Sequence, residues 1–278
     1  MLTDAMSLPW WHPETVWSAT ALVCALAVPL TLALGRFDRR VLEGDGVWRK
    51  PFKFALALAI HYATFAVIAH FLPSPEREGV WMAVTAITSS LLGLAELAYI
   101  SLQAGRARHS HFNGQTRWES VASILMGVGA LFVVFPAFFV GIVLVRFAPH
   151  DWPQGVAGST AAALLSGGFL TLITAMWMGV KASRFADAML ATGRKMWFTG
   201  WALDRADLRV AHFLATHMMQ LVPLASLLVA WLAPRAAVAA IDTGLAALWV
   251  AFTLYVFRET VKGRSINDIL KGSLQASY

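Results

Sequence analysis

Seven ionisable side chains interrupt stretches that are otherwise apolar: Lys53, His61, His70, Glu96, His212, His217 and Asp242. Placing such a group inside a membrane is costly, so each is a functional candidate by default. Their spacing organises most of them. Ser89, Glu96 and Gln103 recur every seven residues, about two helical turns, and form one polar stripe with Thr85 about 20° away. At about 100° per residue, Arg209, His212, Thr216, His217 and Gln220 fall within an arc of about 140°. Lys53, His61 and Thr64 share a face, and His70 points about 180° away from His61.

Depth along the helices sharpens the pattern. Glu96, His61 and His217 each lie about 12–15 Å in from the basic end of their segment. His212 is one turn nearer that end, and Arg106, Arg108, His109 and His111 follow on the same side. The expectation is a polar pocket lined by the second, third and sixth apolar segments, with His109 and His111 at its mouth.

Three chemistries suit such a set. His and Glu are ligands for iron, zinc or manganese, which makes Glu96, His109, His111, His212 and His217 candidate metal ligands. The spacing is not ideal, because His212 and His217 are five residues apart and HExxH-like pairs sit closer. His61 and His217, matched in depth, are candidate axial ligands for a b-type haem. Either cofactor would make the protein an oxidoreductase-like membrane enzyme, with Glu96 as ligand or general base. Alternatively, Glu96 carries a proton in a proton-coupled transporter or channel. A third reading is a structural or partner-binding subunit, in which Glu96 pairs with a histidine or arginine and holds helices together. Arg106, Arg209, Gln103, Gln220, Trp197 and Trp201 are the candidate contacts for an anionic, amphipathic or lipid-soluble ligand.

The elements that must position these residues follow from composition. Of 278 residues, 58% are hydrophobic and only 14% charged, where a soluble domain carries roughly 25% charged residues. The apolar stretches are residues 15–35, 51–72, 80–104, 118–147, 158–180, 210–233 and 238–257. Each is long enough to cross a bilayer as a helix, the only economical way to satisfy a backbone in lipid. Pro136 and Pro223 interrupt the fourth and sixth. The expected fold class is all-α: a single domain over residues 1–278, built as a bundle of seven transmembrane helices.

Charge gives the orientation. Nineteen Lys and Arg fall on one set of alternating segments and three, Arg77, Arg146 and Arg235, on the other. Basic residues collect on the cytoplasmic side, so the N-terminus is expected outside and the C-terminus inside. The net charge of +6 therefore reads as topology, with no nucleic-acid partner. Residues 1–14 contain no Lys or Arg, which argues against a cleaved signal peptide. Trp10, Trp11, Trp17, Trp81, Trp152 and Trp231 are expected near the outer boundary, and Trp48, Trp118 and Trp177 near the inner one. His12 and His150 are expected at the outer surface. Residues 181–209 form a long cytoplasmic loop and 258–278 a tail with a short interfacial helix. The single Cys24 excludes an intrachain disulfide. The last segment lacks a lysine for a retinal Schiff base, and GxxxxGK, HExxH and GxSxG are absent.

Three stretches, WRKPFKF (48–54), ELAYISLQAGRARHSHFN (96–113) and WFTGWALDRADLRVAHFLATHMMQLVPL (197–224), resemble a family of uncharacterised polytopic bacterial inner-membrane proteins. The resemblance implies a multi-pass protein of the bacterial inner membrane and no particular activity.

Overall fold

The computed structural model describes residues 9–42, 44–111, 113–147, 152–153, 155–187 and 193–275. Helix makes up 76% of the structure, so the all-α class holds. The helices are α1 (Pro13–Phe37), α2 (Arg49–Phe71), the short α3 (Ser74–Arg77), α4 (Val80–Gly105), α5 (Arg117–Arg146), α6 (Val156–Lys181), α7 (Arg209–Leu232), α8 (Arg235–Val261) and α9 (Ile266–Gln275). A hairpin of β1 (Val41–Leu42) and β2 (Asp45–Gly46) joins α1 to α2. Seven of these helices are long and apolar enough to cross a membrane, which fits a polytopic membrane protein.

The helices outrun the apolar stretches that predict them. Arg36, Arg49, Arg117, Arg146 and Lys181 are all helical, at or near helix ends. Arg and Lys are good helix formers and extend their charged heads toward water, so an apolar boundary is not a helix boundary. Pro136 lies inside a continuous α5, where its missing N–H removes the donor for the Phe132 carbonyl.

The chain forms two compact units, residues 1–152 and 153–278. In the first, α1 packs on α2, α4 packs on α5, and α4 also touches α1 and α2. Trp17, Tyr62, Phe65, Met82, Ile100 and Leu144 are fully buried there. Trp17 is thus a core residue, not a boundary anchor. Its indole N–H donates to Ser89 Oγ at 3.3 Å, and its ring lies 5.3 Å from that of Phe65. His12 is also buried rather than on the surface. It caps the start of α1, and neither ring nitrogen has a partner among the described residues. Trp10, Trp81 and Trp118 are exposed. His150 lies outside the described residues.

In the second unit, α7 packs on both α6 and α8, and α6 also meets α8. Gly167 of α6 permits the closest approach. A Cβ there would fall 2.8 Å from Met219 Cγ and 3.1 Å from the Ala215 carbonyl oxygen. The connection from α6 to α7 is tied to itself. Leu208 N–H donates to the Arg184 carbonyl at 2.9 Å, and Met196 N–H to the Trp201 carbonyl at 2.8 Å. The amphipathic α9 buries Ile269 against Val210, Ala211 and Val256.

Candidate functional site

A connected polar group of the first unit lies where α2 begins and α4 ends. Lys50 sits in the first turn of α2. After α4, the chain turns through Ala107 at φ +51°, and Arg108 N–H donates back to the Gln103 carbonyl at 2.9 Å. Asn113 then holds the loop through its side chain. It donates to the His109 carbonyl at 2.8 Å and accepts from Gln115 N–H at 3.0 Å. This path returns His111 to Glu96, nine residues before the end of α4.

His111 Nε2 is 3.2 Å from Glu96 Oε1, and Glu96 is 4% exposed. On the other side of the ring, Lys50 Nζ lies 3.0 Å from His111 Nδ1 and 2.5 Å from Ser110 Oγ. A lysine ammonium only donates and a carboxylate only accepts. With both ionised, the neutral ring carries its proton on Nε2 and donates it to Glu96. Lys50 donates to Nδ1. The result is a hydrogen-bonded chain from an exposed lysine to a carboxylate inside an apolar helix. Burial pushes the His111 imidazole below its ordinary value; the Glu96 hydrogen bond opposes this, and the Lys50 charge adds to it.

A second layer supports this chain. Gln103 is completely buried; its amide donates to the Tyr99 hydroxyl at 2.8 Å, and its carbonyl accepts from Arg106 at 3.4 Å. Glu119 pairs with Arg108 at 2.9 Å and closes a capping arrangement with Thr116 at the start of α5. Arg40 binds Asp38 and donates to the Gly105 carbonyl at 2.9 Å, while Trp48 Nε1 donates to Asp38 at 2.9 Å. Those contacts fasten the hairpin to the end of α4. The Arg40 guanidinium and the Trp48 indole hold the Asp38 carboxyl well below the usual carboxylate range.

The remaining candidates have other partners. His61 donates from Nε2 to the Val133 carbonyl at 2.9 Å, next to the carbonyl freed by Pro136, and packs edge-on against Phe65. In the second unit, His212 Nδ1 lies 2.9 Å from Thr174 Oγ1. The His217 ring lies 4.1 Å from that of Phe213, which also meets Trp201 at 5.0 Å. The Arg209 guanidinium grips Asp207 through two bonds, of 2.8 and 2.5 Å, its backbone N–H adds a third at 3.1 Å, and the guanidinium also donates to the Gly200 carbonyl. Trp197 is 87% exposed, and the Gln220 side chain lies beside the His217 ring.

Of the predicted metal ligands, Glu96 and His111 are thus paired directly, and His109 contributes its carbonyl to the same loop. Among the described residues, no group of three or more His, Cys, Asp or Glu is arranged to hold a metal ion. His61 and Glu96 belong to the first unit, His212 and His217 to the second. Sequence reasoning missed Lys50 and Ser110. Lys50 reads there as one more cytoplasmic charge, and no periodicity links residue 50 to residue 111.

Comparison with protein families, with curated proteins and with solved structures finds no match to this chain.

Proposed function

We propose that the protein is a proton-coupled membrane transporter or channel in which Glu96 is the proton-carrying group and His111 its relay. The supporting observation is the continuous Lys50–His111–Glu96 chain, with links of 3.0 and 3.2 Å. In the transfer step, Lys50 gives a proton to His111 Nδ1 while Nε2 gives its own to Glu96. The carboxyl becomes neutral, and Lys50 recovers a proton from water. Such a relay needs an acceptor secluded from solvent and a donor in contact with it, and the pair supplies both. We place this reading ahead of a metal- or haem-dependent oxidoreductase because the rings of His61, His111 and His212 are already engaged by protein groups.

The wider setting belongs to the same proposal. The protein is a multi-pass protein of the bacterial inner membrane, with its N-terminus outside and the basic ends of its helices in the cytoplasm. Lys50 and His111 then face the cytoplasm.

Reconstitution into liposomes enclosing a pH-sensitive dye tests the reading. Under an imposed membrane potential, the wild type should move protons faster than protein-free liposomes. Glu96→Gln should abolish that flux while preserving helicity and monodispersity, and His111→Ala should slow it. Wild-type flux in Glu96→Gln would overturn the assignment.

A further inference from the structure

The second unit contains a buried carboxylate of its own. Asp242 lies on α8, two turns from Arg235, and is 2% exposed. Its Oδ2 is 2.5 Å from Ser226 Oγ on α7. Ser226 Oγ is 2.7 Å from Ser159 Oγ on α6, and Ser159 Oγ is 3.1 Å from the Val156 carbonyl oxygen. Three helices thus contribute to one line of oxygens. Asp242 Oδ1 is buried and has no partner among the described residues. Gly155, at φ +93°, leaves room for the carboxyl, since a Cβ there would fall 2.9 Å from Oδ2.

The N-terminus of α6 lies beside the carboxyl, but no cationic side chain of the facing helices is placed to offset a negative charge there. α6 has no titratable side chain between Val156 and Val180, and α7 has none between Met218 and Leu232. On α8 the nearest charge is Arg235, about 10 Å away along the axis. A buried carboxylate with one hydrogen bond and no counter-charge is costly, and a bound proton removes that cost.

The oxygen line accommodates either state. With Asp242 ionised, Ser159 donates to Ser226 and Ser226 to Oδ2, leaving the Val156 carbonyl without the Ser159 donor. With a proton on Oδ2, two bonds reverse and a third forms: Asp242 donates to Ser226, Ser226 to Ser159, and Ser159 to the Val156 carbonyl. A proton delivered to Ser159 Oγ produces this reversal. Ser159 passes its own hydrogen to Ser226, Ser226 passes its hydrogen to Oδ2, and the net change is one proton gained and one negative charge neutralised.

We propose that Asp242, Ser226 and Ser159 form a proton-binding site inside the membrane-spanning part of the second unit. This site goes beyond the Glu96 reading and does not depend on it.

Infrared spectroscopy of the full-length protein in lipid tests the site. The wild type at neutral pH should show the carbonyl stretch of a protonated carboxylic acid, lost reversibly at alkaline pH. Asp242→Asn should lose this band, whereas Glu96→Gln should keep it. Wild-type protein carrying carboxyl-13C aspartate should show the band shifted to lower frequency, a result that needs no variant to fold. Asp242 is the one aspartate within the seven apolar stretches; the carboxyl of Asp204, outside them, is also buried without a partner among the described residues, so the shift assigns the band to an aspartate and its persistence in Asp204→Asn assigns it to Asp242. A band unmoved by the isotope, or no such band, would overturn the site. A band that disappears when Na+ replaces choline at fixed pH would also overturn it, because sodium would then be the ligand.

Discussion

Nε2 of His111 stands 3.2 Å from Oε1 of Glu96, although the two residues are separated by the last turns of α4 and a reversal of the chain. The contact brings a loop imidazole to a carboxylate inside an apolar helix. It also leaves Nδ1 facing Lys50. One ring therefore joins the water-exposed start of α2 to the interior of α4.

Burial lowers the His111 pKa, so protonation of the ring opposes the folded state. In the unfolded chain the ring takes up a proton near its ordinary value of about 6.5. Below that value the unfolded state binds more protons, and stability falls as pH falls. Above it this dependence vanishes. Thermal unfolding of the detergent-solubilised protein between about pH 8 and pH 5 should lose part of its acid slope in His111→Asn. The difference should not exceed about 1.4 kcal/mol per pH unit. An unchanged slope would show that His111 does not set it.

Gly93 and Tyr62 share a space that admits no side chain at 93. A Cβ there would overlap the Tyr62 hydroxyl and lie 3.1 Å from its Cζ. Tyr62 is fully buried, and its hydroxyl donates to the Ser89 carbonyl at 2.5 Å, so it has little freedom to move. Gly93→Ala should destabilise the protein by about 1–3 kcal/mol. Adding Tyr62→Phe, which removes the obstructing oxygen, should recover part of the loss. A double mutant less stable than Gly93→Ala alone would contradict this account.

Asp207 organises the segment that precedes α7. Its buried carboxylate accepts from Arg209 and from Ala202 N–H at 3.0 Å. Asp207→Ala leaves the partly exposed Arg209 guanidinium with only the Gly200 carbonyl and the Ala202 N–H without its acceptor, and should cost about 1–3 kcal/mol locally. Tryptic cleavage after Arg194, Lys195 and Arg205 should accelerate, while the helical content stays near wild type. Unchanged cleavage would show that other contacts hold the segment.

The hairpin between α1 and α2 depends on an ionised Asp38. Its carboxyl is held below the ordinary range by Arg40 and Trp48, so its contribution is present at neutral pH. That contribution disappears as pH falls below the ordinary carboxylate value. Asp38→Asn should increase amide hydrogen exchange in residues 40–47 at neutral pH and remove the acid-induced increase expected of the wild type. Equal exchange in both proteins at neutral pH would refute the role.

Much of the architecture was legible in one dimension. A long apolar run in lipid has one backbone solution, so seven runs became seven long helices, six of them extended by flanking Arg or Lys. The stripe of Ser89, Glu96 and Gln103 was legible for the same reason, since helical periodicity is local, and all three residues are buried. Side-chain partners were not legible. Equal depth suggested His61 and His217 as companions for Glu96 and put His111 only at the mouth of the pocket, whereas the His111 ring stands 3.2 Å from the carboxylate. Depth along a helix says nothing about which loop folds back over it. Trp17 and His12 illustrate the same limit, because an aromatic near a helix end suits either an interface or a core. By itself the sequence determined the helices and the places where polarity breaks into them. Only the tertiary structure decided which polar atoms meet, because a hydrogen bond is set by distances of a few tenths of an ångström between groups far apart in the chain.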